Sequence, residues 1–229
     1  MPQGYFITGT DTDSGKTVVT LGLMQRLQSQ GYRVVGMKPV AAGADQTPDG
    51  WRNQDALQLQ AQASRPVDYH LLNPYCFEPP IAPHRAAELA GRVIDFTEIK
   101  RCFDQLAGTS DRILVEGAGG WRVPLGPNQS MADLACALDL PVILVVGLRL
   151  GCINHALLSV DSIRASGARL AGWIGNQIDP AMQQREANID TLNAWLDLPC
   201  LGIVPWLSSP TPTTVSRYLT SSPNEGGLR

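Results

Sequence analysis

The sequence lacks long apolar segments, basic runs and paired cysteines, and each absence excludes a class of protein. The longest apolar stretch, residues 141–148, is too short to span a bilayer as a helix. The net charge is −3 without any block of like charge, so we expect neither nucleic-acid nor membrane binding. Five scattered cysteines without CxxC spacing favour free thiols in a reducing, cytoplasmic setting over disulfides or a zinc site. The first eleven residues show no secretory signal pattern, which agrees with this setting.

Lysine is scarce as well, since the 229 residues contain only Lys16, Lys38 and Lys100. A lysine in this arginine-dominated background is more often functional, and two of the three lie in the motifs described below. The length suits a single domain, which we place at residues 1–207. Residues 208–229 are rich in Ser, Thr, Pro and Gly, and we expect a flexible tail there that chemistry does not need.

Apolar runs and helical periodicity alternate along the chain. The runs predict strands at residues 5–8, 34–39, 113–116, 142–146, 170–176 and 201–204. Helices are predicted at residues 16–30, 55–63, 84–90, 97–106, 132–138, 155–166 and 180–196. This alternation indicates an α/β fold with a doubly wound, mainly parallel sheet, whose ligand site lies at the carboxyl ends of the strands. The proline-rich residues 66–83 are expected to form an ordered, irregular segment near that site.

A glycine-rich loop, GTDTDSGKT at residues 9–17, follows the first predicted strand and opens the first helix. That context is typical of a phosphate-binding P-loop, although five residues rather than four separate Gly9 from Gly15. Backbone N–H groups and the helix amino end would hold the phosphates, Lys16 would reach the β- and γ-phosphates, and the Thr17 hydroxyl would bind Mg²⁺. The sequence therefore predicts a P-loop NTPase fold that binds a nucleoside triphosphate, most simply ATP.

Three further charged residues follow predicted strands or loops. Lys38 ends the second strand and could point at the phosphates or lie at the surface. Asp55 begins a helix and could be either its N-cap or a metal ligand. Glu116 ends an apolar strand before a glycine cluster, where P-loop enzymes carry an acidic residue that meets Mg²⁺.

Several blocks of the sequence together resemble the dethiobiotin synthase family over residues 5–207. The blocks are GTDTDSGKT, GMKPVAAG, RNQDA, NPYCFEPPIAPH, VEGAGGW, PVILVVGLRLGCINHALL, GWIGNQI and IVPWL. The resemblance implies closure of the ureido ring of dethiobiotin from 7,8-diaminononanoate, CO₂ and MgATP, through a carbamate and a carbamic–phosphoric anhydride. It also implies a homodimer, with the diamine bound near the subunit interface.

The resemblance also implies roles for residues at matching positions. Lys16 and Lys38 match two active-site lysines that stabilise the carbamate and the transferring phosphoryl group. Thr17, Asp55 and Glu116 match the Mg²⁺ ligands. The further nucleotide contacts are Thr12, Asp13, Ser14, Gly15, Gly117, Ala118, Gly119, Asn176, Gln177, Pro205, Trp206 and Leu207. Within this set, the two amide side chains match the adenine-reading position. The substrate contacts are Ala42, Gly151, Cys152, Ile153 and Asn154, of which the last four match the region that meets the diamine carboxylate across the dimer.

The chain departs from the family pattern at two positions, and it lacks features of two other classes of P-loop protein that remain as alternatives. Ala42 replaces a frequent Ser or Thr and removes a hydroxyl near the substrate, whereas Asp13 replaces a Glu and keeps its charge. A corrin-amidating relative would carry an added glutaminase domain, for which this chain is too short. A partitioning or septum-positioning ATPase would carry a second lysine early in the phosphate loop, where residues 10–12 read Thr-Asp-Thr.

Overall fold

A computed structural model describes residues 3–220. The strands are β1 (Gln3–Gly9), β2 (Val34–Met37), β3 (Val40–Ala42), β4 (Asp45–Thr47), β5 (Gly50–Arg52), β6 (Tyr75–Phe77), β7 (Arg112–Gly120), β8 (Pro124–Gly126), β9 (Gln129–Ser130), β10 (Val142–Leu148), β11 (Leu170–Gln177) and β12 (Cys200–Val204). The helices are α1 (Lys16–Ser29), α2 (Gln54–Gln62), α3 (Tyr69–Leu72), α4 (Pro83–Leu89), α5 (Phe96–Ala107), α6 (Met131–Leu138), α7 (Cys152–Ala165), α8 (Arg185–Leu196) and α9 (Pro212–Ser216).

The six predicted strands form one central sheet in the order β12-β11-β10-β1-β7-β2, and each neighbouring pair is parallel. β2 and β10 are buried along their whole length, as expected of apolar strands that are covered on both faces. β2 and β7 lie on one side of β1, whereas the later strands β10, β11 and β12 lie on its other side. This change of direction makes the carboxyl end of β1 a topological switch point. The predicted doubly wound parallel sheet is therefore confirmed.

Short additional elements surround this carboxyl edge. β3 pairs with β6, β4 pairs with β5, and β8 pairs with β9, each as a separate two-stranded ladder. None of these ladders was predicted, because runs of two or three residues carry no readable periodicity. No helix within residues 3–220 is long and apolar enough to cross a membrane.

Several predicted boundaries differ from the structure, and two of these differences have clear local reasons. β7 continues past Glu116 to Gly120, because its pairing with β1 shifts register between Ile7 and Gly9 and accommodates extra residues. α8 begins at Arg185 rather than at residue 180, because Gln184 adopts a left-handed conformation with φ of 52°.

The expectation of a flexible tail from residue 208 onward is not met by the part that the structure describes. α9 packs on α1, and the side chains of Val215 and Leu219 are buried. Thr220 donates a backbone hydrogen bond to Leu201, which ties this segment to β12. Burial of these apolar side chains against α1 offsets the polar composition that suggested mobility. Residues 221–229, the rest of the expected tail, lie outside the described residues.

Candidate active site

The phosphate loop joins β1 to α1 in the predicted strand–loop–helix context. Asp13 and Gly15 both adopt left-handed backbone conformations, with φ of 59° and 85°. A Cβ atom on Gly15 would lie 1.9 Å from Nδ2 of Asn176, so this position has no room for a side chain. The amide of Asn176 donates to the Ser14 carbonyl oxygen at 3.1 Å, which braces the loop from β11. The loop thus has a fixed shape that suits an anion.

Lys16 begins α1 and is largely buried at the floor of the loop. Its Nζ donates to the Asp11 carbonyl oxygen at 2.9 Å. Burial and, after it, the nearby charge of Lys38 lower the pKa of Lys16 to about 8. The carboxylate of Asp11 forms an ion pair with Arg149 at 2.8 Å. Lys16 Nζ thus contacts the Asp11 carbonyl group, while the Asp11 carboxylate pairs with Arg149. A bound phosphate would give the Lys16 ammonium group an anionic partner.

A compact charged cluster lies next to Lys16. Lys38 is 4% exposed, and its Nζ donates to Oε1 of Glu116 at 2.6 Å and to Oδ2 of Asp55 at 2.9 Å. The Thr17 hydroxyl donates to the same Glu116 oxygen at 2.8 Å. Burial alone would lower the pKa of Lys38, but the two carboxylates outweigh it and raise the value. Of the two alternatives for Lys38, the surface position is wrong.

Asp55 also has a defined place. Asn53 is the N-cap of α2, and its side-chain oxygen accepts from Ala56 N at 3.3 Å. Asp55 lies in the first turn of α2 and points at the cluster, so it is not the N-cap. Although burial opposes the shift, Lys38 lowers the pKa of Asp55 below its usual value. The carboxylate is therefore ionised and available to a cation.

The cluster fits a magnesium ion. The Oε2 atom of fully buried Glu116 has no hydrogen-bond partner among residues 3–220. Thr17 and Asp55 bring two more oxygen ligands to the same place. Mg²⁺ in phosphoryl-transfer sites takes one or two carboxylates and completes its shell with phosphate oxygens and water. No group of three or more His, Cys, Asp or Glu suited to a metal occurs in the described chain.

A cavity of about 770 Å³ opens over this cluster. The predicted site residues that line it are Thr12, Asp13, Gly15, Lys16, Thr17, Lys38, Ala42, Asp55, Ala118 and Gly119. Ser14 and Gly117 do not line it: Ser14 is buried beneath the loop, and Gly117 packs near the Phe6 ring. The proline-rich segment reaches the cavity through residues 80–83, which confirms its expected place near the site. Sequence reasoning gave no role to Asn53, although it lies in the RNQDA block, and missed Val123 and Pro124, which lie outside every block.

A second cavity of about 350 Å³ adjoins the first and shares Gly15 and Val18 with it. It brings together the predicted base-site residues Asn176, Gln177, Pro205, Trp206 and Leu207. Oε1 of Gln177 accepts from Arg185 Nη1 at 2.8 Å and from Trp206 N at 3.2 Å, so its amide is engaged within the protein. The two cavities together form one trough along the phosphate loop.

The remaining predicted contacts lie elsewhere. Residues 151–154 begin α7, and none of them lines either cavity. Cys152 is buried, and Gly151 adopts a left-handed conformation with φ of 93°. Within one chain, the structure does not bring this segment together with the trough.

Known proteins resemble the chain over most of its length. A family described as "AAA domain" matches residues 3–214. The ATP-dependent dethiobiotin synthetase BioD of Chromohalobacter salexigens is 51% identical over 91% of this chain and 92% of its own. The protein of the same name from Aromatoleum aromaticum is 48% identical over 95% and 97%. Among solved structures, the septum site-determining protein MinD of Pyrococcus horikoshii with Mg-ADP has a TM-score of 0.53 at 17% identity, over 96% and 88%. The signal recognition particle 54 kDa protein of Aeropyrum pernix with GDP has a TM-score of 0.55 at 18% identity, over 98% and 45%. These structural likenesses show the P-loop NTPase fold alone.

Proposed function

The chain belongs to the ATP-dependent dethiobiotin synthetase family, and from this premise we propose that it closes the ureido ring of dethiobiotin. The substrates are 7,8-diaminononanoate, CO₂ and ATP, with Mg²⁺ as the metal. The reaction is a C–N ligation driven by transfer of the γ-phosphoryl group, and it belongs to biotin biosynthesis.

The reaction has three steps. One amine adds to CO₂ and loses a proton, which gives a carbamate. A carbamate oxygen then attacks the γ-phosphorus and releases ADP, which gives a carbamic–phosphoric anhydride. The second amine attacks the carbonyl carbon, loses a proton and displaces phosphate, which closes the five-membered ring. Each step either builds up or moves negative charge on oxygen, so fixed cations are the main requirement of the site.

The buried cluster of Lys38, Asp55, Glu116 and Thr17 beside Lys16 is the observation that carries the proposal. A switch ATPase transfers the γ-phosphoryl group to water, which is neutral, whereas a second buried lysine facing the phosphate loop can stabilise an anionic acceptor such as a carbamate. Lys38 has this place, with Nζ 2.6 Å from Glu116. Bound Mg²⁺ would neutralise the polyphosphate, held by the hydroxyl of Thr17 and the carboxylates of Asp55 and Glu116.

The two cavities suggest how the substrates divide the trough. We assign the second cavity to the base, with Asn176 reading adenine and residues 205–207 flanking it. The first cavity takes the phosphates through residues 12–13, 15–17 and 118–119. The reacting amines would lie in the same cavity, between Lys38 and Ala42.

The diamine tail requires a second subunit in this proposal. Residues 151–154 at the amino end of α7 would bind the tail carboxylate of a diamine held by the partner protomer in a homodimer. Exposed apolar side chains on and next to α7, Leu150 and Leu158, support an interface there. Light scattering should give twice the chain mass, and a monomeric mass would contradict this part. A cytoplasmic location completes the proposal.

The decisive experiment measures ADP release and identifies the product. We expect ADP release to require both 7,8-diaminononanoate and bicarbonate, with dethiobiotin detected by mass spectrometry. ATP turnover without the diamine that is stimulated by DNA or lipid vesicles would instead favour a switch ATPase.

A further inference from the structure

We propose that Tyr69 is a positioning residue for the phosphoryl-transfer site, because its hydroxyl holds the backbone segments that carry Lys38 and Asp55. The proposal rests on the function given above but makes its own prediction about the metal site. Neither sequence motifs nor the two cavities include Tyr69.

The Tyr69 hydroxyl bridges two buried polar groups. Tyr69 begins the short helix α3 and is 8% exposed. Its oxygen accepts a hydrogen bond from Asn53 N at 2.8 Å and donates to Oδ1 of Asn73 at 2.9 Å. A phenol has one proton to donate and lone pairs to accept with, so both roles are filled at once. Burial chiefly raises the pKa of Tyr69 above its usual value, which keeps the donor proton in place.

One arm of this network reaches Lys38. Nδ2 of Asn73 donates to the Lys38 carbonyl oxygen at 2.6 Å, and Lys38 N donates to the Leu72 carbonyl oxygen at 2.9 Å. β2 ends at Met37, so Lys38 lies just beyond the pairing with β7. Residues 72–73 therefore provide the hydrogen bonds to the Lys38 backbone that the sheet no longer provides at this position.

The other arm reaches Asp55. Asn53 is the N-cap of α2, and Asp55 is the second helical residue. In a capping box, a Glu or Gln at the third helical position accepts from the N-cap N–H. That position is Ala56, which has no acceptor side chain, and the Tyr69 hydroxyl accepts from Asn53 N instead. Tyr69 thus fixes the start of the helix that carries the carboxylate.

The two arms meet again at the side chains, where Lys38 Nζ and Asp55 Oδ2 are 2.9 Å apart. The network is closed: one hydroxyl holds both backbones, and their side chains meet over the metal site. The Arg52 guanidinium lies over the Tyr69 ring, 4.2 Å from its centroid, and keeps the ring in place independently of the hydroxyl.

The test compares two Tyr→Phe variants that remove the same kind of bond. Tyr69→Phe keeps the ring but leaves Asn53 N and Asn73 Oδ1 without the hydroxyl. Tyr75 is the matched control: it is also buried, and its hydroxyl accepts from Asp95 N, the N-cap residue of α5, at 2.9 Å. The Tyr75 ring also lies beneath an arginine, but α5 carries no residue of the cluster.

We expect Tyr69→Phe to lose more thermal stability than Tyr75→Phe, because it removes two hydrogen bonds rather than one, and we expect the two variants to differ in catalysis. At a temperature where circular dichroism shows both folded, Tyr69→Phe should lower kcat at least tenfold while the KM for ATP changes less than threefold. Tyr75→Phe should keep kcat within twofold of wild type. The concentration of Mg²⁺ that gives half-maximal activity should rise only in Tyr69→Phe. Equal kcat in the two variants would overturn the proposal.

A binding measurement separates this proposal from the proposed function. Paramagnetic resonance can follow Mn²⁺ binding in the presence of ADP, without any turnover. We expect Tyr69→Phe to bind Mn²⁺ at least threefold more weakly than wild type. Tyr75→Phe should bind Mn²⁺ with unchanged affinity, and both results should hold whichever substrate the enzyme uses. Unchanged affinity would overturn the positioning role, whereas wild-type protein inactive on the diamine would contradict only the function. Should Tyr69→Phe not fold, Asn73→Ala cuts the Lys38 arm alone, and a kcat within twofold of wild type would likewise overturn it.

Discussion

Replacing Lys38 with methionine should destabilise the protein by about 3–4 kcal/mol at pH 7, because it removes the ammonium group that forms an ion pair with the buried carboxylate of Glu116. Methionine keeps an unbranched apolar side chain out to Cε, with sulfur in place of Cδ, and lacks the ammonium group. Glu116 is fully buried, and one of its oxygens already lacks a partner among residues 3–220. Removal of one member of a buried ion pair typically costs about 3–5 kcal/mol.

Protonation sets an upper limit on this loss. A carboxyl group with an ordinary pKa of about 4.3 can be neutralised at pH 7 for about 3.7 kcal/mol. The destabilisation should therefore not exceed that figure by much, and it should shrink by about 1.4 kcal/mol for each unit that the pH is lowered. For a chain of this size the loss at pH 7 corresponds to a Tm about 6–15 °C lower.

A double-mutant cycle with Glu116→Gln isolates the pair. Glu116→Gln alone should cost less than Lys38→Met, because Lys38 keeps its ion pair with Asp55. The Asp55 side chain is 41% exposed, so solvent also shields the charges of this remaining pair. Adding Glu116→Gln to Lys38→Met should recover at least about 1.5 kcal/mol, since the unpaired charge is gone.

The assay is unfolding by heat or urea, followed by circular dichroism with EDTA and without nucleotide. Lys100→Met is the control, because Lys100 forms only an exposed pair with Asp104 and should change stability by less than about 0.5 kcal/mol. A Lys38→Met variant within about 1 kcal/mol of wild type, with additive effects in the cycle, would refute the reasoning.

Three further predictions concern the phosphate loop, the carboxyl-terminal segment and the substrate pocket. Gly15→Ala should weaken ATP binding more than tenfold by calorimetry, because its φ is 85° and its Cβ would collide with Asn176; wild-type affinity would contradict this. Leu219→Ala should cost about 2–5 kcal/mol in urea unfolding, because Leu219 is 4% exposed, whereas Leu89→Ala at 70% exposure serves as a control near zero. Equal effects of the two leucine variants would mean that the segment beyond residue 207 is not packed. Ala42→Ser should lower the KM for the diamine or leave it unchanged in steady-state kinetics, with the KM for ATP constant, and a large loss of activity would show that the pocket is packed differently.

The sequence alone determined the central sheet and the phosphate loop. Each of the six strands is an apolar run that is readable without its neighbours, and the glycines and the Lys-Thr pair of the loop are contiguous. The helices were predictable for the same reason, because their periodicity lies within one segment. Their ends differed where a single residue such as Gln184 took an unusual conformation.

The sequence left Lys38 and Asp55 with two alternatives each, and the tertiary structure excluded the surface position for Lys38 and the N-cap position for Asp55. Lys38 and Glu116 are 78 positions apart, and their contact exists because β2 and β7 are neighbours in the sheet. Asn53 is the N-cap because α2 begins at Gln54, and this leaves the Asp55 side chain available to the cluster.

The carboxyl-terminal segment and Tyr69 show the limit of local patterns. Val215 and Leu219 stand among polar residues, yet they are buried because α1 offers them an apolar surface. Tyr69 lies in no motif, and its hydroxyl can link two segments only because the fold brings Asn53, 16 positions away, next to the helix that contains Tyr69 and has Asn73 as its C-cap. Local sequence fixes backbone conformation through sterics and periodicity, whereas burial and long-range hydrogen bonds depend on which segments meet, and these contacts are a property of the folded chain.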